Sequence, residues 1–185
     1  MKSTMLPTDV TTWTLDPSHS QVEFGVRHMM ISTVKGSFNE LSGTIAYDGE
    51  NLADAALEVE IDAASIDTRN ADRDGHLRSG DFFDVETHPK LVFRSTGIEG
   101  TPESFKVKGD LTIRGETRPV VLDAELLGGG EDPWGNQRLA FRAETEINRK
   151  EFGLSWNQTL EAGGVLVGEK VRITLEVQAV EESGD

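Results

Sequence analysis

At 185 residues, the chain is the size of one undivided β-barrel domain. Its 33 acidic against 18 basic side chains give a net charge of −15 at pH 7, which excludes a phosphate-binding nucleic-acid surface and argues equally against docking on anionic lipid head groups. Cysteine is absent, so disulfides and thiolate metal sites are excluded as well.

The first residues, MKSTMLPTDVTTW, lack the apolar stretch of a secretory signal. That predicts a cytoplasmic location, or a periplasmic one if a leader preceded the chain. No apolar run approaches the roughly 20 residues that a spanning helix needs. Residues 1–11 are polar and patternless, an expected loose tail; residues 12–180 carry strand patterning, and 181–185 form an acidic tail. Trp13 and Leu15 begin a short strand that stops at the turn signal Asp16-Pro17. From Ser20 to Met30 the alternation is clean, with Val22, Phe24, Val26, His28 and Met30 on one face. Between Val34 and Tyr47 the parity changes, since Phe38 is even-numbered but Leu41, Ile45 and Tyr47 are odd. A bulge near Asn39–Glu40 is the expected cause. Ala55, Leu57, Val59 and Ile61 then oppose Glu58, Glu60 and Asp62.

The alternation stops at Asn70–Asp84, NADRDGHLRSGDFFD. Asp74 and Arg78 stand four apart, an acid-then-base pair that supports a helical turn. Asn70 or Thr68 can cap its start and Gly80 can end it. Phe82 and Phe83 cannot be left on an exposed loop, so the stretch is predicted to be a short helix with an aromatic anchor, plugging one end of a barrel. Asn70, Asp72, Asp74, Gly75 and Asp81 also imitate the spacing of a calcium loop. Against a cation stand the Asn at its first position, the short Asp at its last, and the lack of an amphipathic helix leading in.

Thr87-His88-Pro89 restarts the sheet. Leu91 and Phe93 share one face of a strand that fades by Gly97, and Phe105, Val107, Leu111 and Ile113 form the next. Arg114-Gly115-Glu116-Thr117 reads as a tight hairpin leading to Val120, Leu122, Ala124 and Leu126. Gly128–Gly130 with Asp132-Pro133-Trp134-Gly135 is the expected flexible loop. Leu139, Phe141, Ala143, Thr145 and Ile147 make a strand, Asn148–Asn157 a bulky corner, and Val171, Ile173, Leu175, Val177 and Ala179 a last strand.

Eight or more strands at hairpin spacing, without βαβ alternation, predict an all-β antiparallel sheet that closes into a barrel and so removes its edges. An eight-stranded lumen is either filled by side chains or holds one small ligand. Gly43, Ala55, Gly109, Ala124 and Ala143 interrupt the large residues of the inner faces. They either leave volume or fit the taper of the barrel, and periodicity leaves both open.

Five stretches, DPSHSQVEFGVRHMM (Asp16–Met30), RDGHLRSGDFFD (Arg73–Asp84), GDLTIRGETRPVVL (Gly109–Leu122), INRKEFGL (Ile147–Leu154) and VGEKVRITLEV (Val167–Val177), resemble the YceI-like family in its own order, over roughly residues 12–180. Gly75 departs from that pattern, where a helix-friendly residue is usual. The resemblance implies a closed eight-stranded lipocalin-like barrel with one short helical plug. It also implies a polyisoprenoid lipid in the lumen, no cofactor, and a homodimer as one form of assembly. On that reading Val22, Phe24, Val26, Phe38, Phe93, Leu111, Ile113, Phe141 and Ile147 belong to the wall, Leu77, Phe82 and Phe83 to the plug, and Phe152, Leu154 and Trp156 to the rim. His76 and Arg78 in the plug, with Arg149 and Lys150 in the corner, could offer positive charge to a diphosphate head or pair with nearby carboxylates.

The four histidines form no HExxH or HxH pattern, and His19 and His28 have opposite parity, which argues against a metal site. His28 is either a hydrogen-bonded core residue or a head-group contact at the mouth. No nucleophile elbow or glycine-rich phosphate loop is present, so a non-enzymatic lipid carrier is expected. Its rivals are an enzyme using His28 or His76 on a bound isoprenoid, and a filled barrel acting as a stress-response interaction module.

Overall fold

The computed structural model describes residues 11–158, 160 and 166–182. Strands account for most of them: β1 (Thr11–Leu15), β2 (Gln21–His28), β3 (Ser32–Phe38), β4 (Leu41–Tyr47), β5 (Ala56–Asp62), β6 (Ile66–Asp67), β7 (Lys90–Thr101), β8 (Ser104–Ile113), β9 (Glu116–Glu131), β10 (Gln137–Asn148) and β11 (Val167–Glu181). The one α-helix among the described residues, α1 (Ala71–Arg78), separates β6 from β7. Residues 1–10 and 183–185 of the two expected tails lie outside the described residues.

Antiparallel pairing runs β1-β4-β5-β7-β8-β9-β10-β11, and β11 pairs back onto β1, closing an eight-membered ring. The remaining strands lengthen that ring. β2 continues β1 along the same edge of β11, after a break at Pro17–His19, and β3 continues β4 beside it. The break between β3 and β4 falls at Asn39–Glu40, as the parity change predicts, and both Phe38 and Leu41 remain buried. β8 turns into β9 through Arg114 and Gly115, at φ 51° and 75°, the pair of left-handed residues that a tight hairpin requires.

Three expectations are corrected. β7 does not fade at Gly97: its register with β8 shifts between Ser95 and Gly97, and it runs on to Thr101 with Ile98 buried. A bulge reverses the parity there, which is why the alternation seems to end. Gly128–Gly130 is not loop but the far end of β9, paired to Arg138–Ala140. Of the three, Gly129 reflects close approach, because a Cβ there would meet Leu139 Cδ2 at 2.9 Å, while Gly128 and Gly130 have open space around them. At the other end, Met30 does not continue the inner face of β2; the strand stops at His28 and the chain turns through Met29 and Met30.

The end of the ring near the β9–β10 turn is tied by charge. Arg138 donates from Nη1 to Asp16 Oδ2 at 2.8 Å and from Nε to Asp132 Oδ2 at 2.7 Å. Asp16 also caps the 3-10 turn at Pro17–His19, accepting from the Ser18 amide, while Asp132 accepts from the Trp134 and Asn136 amides. The Arg138 guanidinium, with the Ser18 hydroxyl, holds the Asp16 carboxyl far below the usual carboxylate range, against the opposing effect of burial. Asp132 is pulled down to about 2, chiefly by Arg138 and, against desolvation, by the same two amides. A carboxylate whose pKa is depressed on folding contributes stability above its unfolded pKa of about 4 and loses it as pH falls through the folded value. Arg138→Leu is therefore expected to lower the melting temperature at pH 7. The gap to wild type should narrow as pH falls from about 4 to about 2, as thermal unfolding followed by circular dichroism will show.

Candidate functional site: an apolar channel under a helical plug

Helix α1 forms where the sequence places its capping signals. Asn70 accepts from the Arg73 amide, and Asp72 and Asp74 lie in the first turn, where the helix dipole favours them. The expected Asp74–Arg78 pair does not form. Asp74 is buried and accepts from both the amide and the hydroxyl of Thr68. Arg78 instead reaches back to the carbonyl oxygens of Ala64 and Ile66, at 3.0 and 3.1 Å. Each partner is drawn to a backbone group near β6 that has no strand beside it, since β6 pairs with β3 alone. The helix ends at Ser79 rather than Gly80. Because Asn70 and Asp74 are engaged as cap and clasp on a continuous helix, the calcium-like spacing is not a ligand loop.

Beyond α1 the double aromatic turns inward. Phe83 meets Phe38 edge-on at 5.7 Å between ring centroids, and Phe38 meets Phe24 at 5.5 Å. Phe82 packs at 5.4 Å from Trp156, and His76 stands edge-on to both. The plug thus carries two aromatic clusters, one around Phe83 and one around Phe82.

Beneath it lies a cavity of about 140 Å³, within some 1110 Å³ between its walls that no atom occupies, part of it solvent at the mouth. A second, of about 70 Å³, lies further along the barrel. Leu57, Val59, Leu122 and Leu175 line both, so these four side chains stand between two adjoining apolar chambers. All lining side chains of the upper chamber are aliphatic or aromatic except Thr145 and Arg149. Among the described residues no buried side-chain nitrogen or oxygen lacks a hydrogen bond.

Val22, Phe24, Val26, Phe38, Phe93, Leu111, Ile113 and Ile147 line the upper chamber as wall, together with Leu77, Phe82 and Phe83 of the plug and Leu154 of the rim. Phe141 lines the lower chamber instead. Phe152 is buried but behind the wall, and Trp156 packs on Phe82 outside the chamber. His28 is half-buried at the end of β2, lines neither chamber, and makes no side-chain hydrogen bond among the described residues. His76 donates from Nε2 to Asp81 Oδ2 at 2.8 Å. Leu57, Val59 and Ile61, with Val171, Ile173 and Leu175, are wall residues that the alternation of β5 and β11 marks equally well. The small residues divide by type. Gly109 and Gly43 hold no space, since a Cβ there would run into the Phe93 ring and the Glu58 carbonyl oxygen respectively. Ala55, Ala124 and Ala143 do line the lower chamber.

Arg149 has a structural engagement that its sequence context hides. It is 3 % exposed and donates to four carbonyl oxygens: Gly168 at 2.7 Å, Trp156 at 3.0 Å, Val167 at 3.2 Å, and Leu154. Burial pushes its pKa down, but a guanidinium stays charged in proteins. Its planar fork binds the corner to the start of β11. Lys150 pairs with Glu169 at 2.8 Å. Arg149→Leu would leave those carbonyls without a donor and should cost about 3 kcal/mol or more in urea unfolding. Arg149→Lys, with three donors and no fork, should recover only part of that.

The chain matches the family model described as the YceI-like domain over residues 13–179. It is 42% identical over 137 residues to a UPF0312 protein of Pectobacterium atrosepticum, across 74% of this chain and 71% of the relative. It superposes on the Campylobacter jejuni YceI protein with a TM-score of 0.73 at 32% identity, over 85% of this chain and 90% of that one. At 15% identity and a TM-score of 0.68 it shares its fold with a polyisoprenoid binding domain from Saccharophagus degradans, over 93% of this chain and 99% of the other. No described helix is long and apolar enough to cross a membrane. With the closed eight-membered ring, the aromatic plug and matches at this level, the chain belongs to the YceI-like family.

Proposed function

We propose that the barrel carries a long-chain isoprenoid, polyprenyl or quinone-type, tail-first in its channel, for storage, transfer or sequestration and without chemistry of its own. The observation that carries this reading is the pair of adjoining apolar chambers inside the barrel, the upper one lying under a plug of side chains rather than under backbone. Apolar surface removed from water stabilises a bound tail by roughly 25 cal/mol per Å², so the walls need no polar contact to hold it. The Saccharophagus domain of the same fold, described as polyisoprenoid-binding, supports the choice of ligand.

The chamber volumes set how such a tail would enter. A cavity of about 140 Å³ matches the roughly 150 Å³ of an apolar cavity that admits benzene. The upper chamber therefore takes the leading carbons, and a longer tail must push Phe24, Phe82 and Phe83 aside and open a neck between the four side chains shared by both chambers, Leu122 among them. Those same volumes favour a second reading, a filled barrel that acts through its surface alone. The enzyme reading has less behind it, since His76 is held by Asp81 and His28 stands away from the channel.

Uptake separates the readings. Native mass spectrometry of purified protein offered geraniol and a decaprenyl alcohol in detergent should show one-to-one complexes with both. Leu122→Phe, which narrows the neck, should keep the short prenyl alcohol and lose the long one. No complex with either, and no lipid in an organic extract, would leave the filled barrel standing.

A further inference from the structure

We propose that the hairpin joining β2 to β3 is a membrane anchor: its tip inserts Met29, Met30 and Ile31 into a bilayer carrying anionic head groups, setting the channel mouth against the lipid. The three are consecutive and 43, 59 and 77 % exposed. Scattered apolar residues on a surface need no explanation, but a run of three at a tip does. Their backbone is also costly. Met29 and Met30 sit at φ 53° and 62°, in the left-handed region that Asn and Gly occupy at such turns and that side chains like methionine avoid. The surroundings hold this conformation in place: the Met29 amide donates to the Leu166 carbonyl, the Ile31 amide to the His28 carbonyl, and Arg27 Nη2 to the Met30 carbonyl at 2.9 Å. A strained turn that displays methionines instead of Asn-Gly is a feature kept for what those side chains touch.

Charge and position identify what that is. In a chain with 33 acidic residues, none falls between Glu23 and Glu40, while Arg27 and Lys35 do. The register, Gly25 opposite Lys35 and Arg27 opposite Thr33, puts both cations on the outer face of the hairpin. Glu169, just beyond Val167 of the adjoining strand, is held by Lys150. At physiological ionic strength charges act over roughly 8 Å, so an anionic surface meets this local basic face rather than the net charge of −15. Apolar side chains flanked by cations are what an interfacial anchor requires. The inner face of the same hairpin, Phe24 and Val26, lines the channel. Two strand residues past Val26, roughly 7 Å along, the chain turns into the tip, so anchor and mouth are one structure. The opposite end carries a single exposed aromatic, Trp134, 80 % exposed in the β9–β10 turn, with Asp132 beside it.

This inference gives the carrier reading its donor surface and rests on it, yet the two fail separately. The experiment is flotation of the full chain with phosphatidylcholine vesicles containing phosphatidylglycerol, run beside decaprenyl uptake from detergent micelles. Wild type should float. Met29→Asn with Met30→Gly and Ile31→Ser installs the favoured turn, so it should melt no lower than wild type, float roughly tenfold less, and take up lipid from micelles unchanged. Lys35→Glu should weaken flotation on the anionic vesicles and leave it alone on pure phosphatidylcholine, and Trp134→Ser should float as wild type. A wild type that stays at the bottom of the gradient, a tip variant that floats equally, or loss of flotation with Trp134→Ser instead would overturn the anchor. Absent uptake from micelles would overturn the carrier reading and leave the flotation result to stand for itself.

Discussion

Closure of the sheet is the constraint on which everything else depends. β11 is shared: β10 lies along one edge, and β1 with β2 lie along the other. Once both edges of β11 are occupied, the ring has no unpaired strand to cover and its interior can be lined almost wholly with hydrocarbon. An open sheet of the same strands would expose that face to water. The dry channel is therefore a product of topology first and of composition second.

At the end of the barrel that carries α1 the pairing leaves two gaps, and irregular elements cover both. β6 has a partner on one side only, and the β9–β10 pairing starts at Asp123 and Glu144, leaving the ends of both strands apart. Helix α1 covers the first gap through Arg78 and the buried Asp74. The corner at Arg149–Phe152 bridges the second, where Arg118 donates to the Glu151 carbonyl. The opposite end has a gap of its own beyond Glu58 and Arg94, where β5 and β7 part and the Ser95 hydroxyl accepts from the Leu57 amide; the Asp16–Arg138–Asp132 clasp secures that end. The plug, the Arg149 corner and the β2–β3 hairpin fall at the same end, around the upper chamber.

The walls were legible in the sequence because a strand with one dry face writes its burial into alternate positions, as β5, β10 and β11 do. The bulge at Asn39–Glu40 was legible for the same reason, as a change of parity between two strongly apolar faces. At Gly97 a bulge of the same kind hid the rest of β7, since Ile98 alone was too little to re-establish the pattern. Glycine was ambiguous. Gly128–Gly130 reads as a loop although it is paired strand, with only Gly129 packed closely on β10, and whether Gly43 and Gly109 leave space or fit their neighbours is decided by side chains and carbonyls from other strands that periodicity does not show. Arginine and aspartate were hardest, because spacing suggests partners along a helix while backbone groups freed by the fold compete for them. Asp74, Arg78 and Arg149 all chose the backbone.

The grip of Arg149 bears on which part of the rim can give way. One side chain bonds the Leu154 and Trp156 carbonyls on one segment and those of Val167 and Gly168 on another, so neither can lift without baring several acceptors together. The α1 side is tied at its base too, by Asp74 to Thr68 and by Arg78 to the Ala64 and Ile66 carbonyls, but its Phe82 and Phe83 rings meet their neighbours through side-chain contacts alone. Rings can swing without breaking a hydrogen bond, so the pliant part of the rim is its aromatic side chains and the backbone on both flanks is the frame.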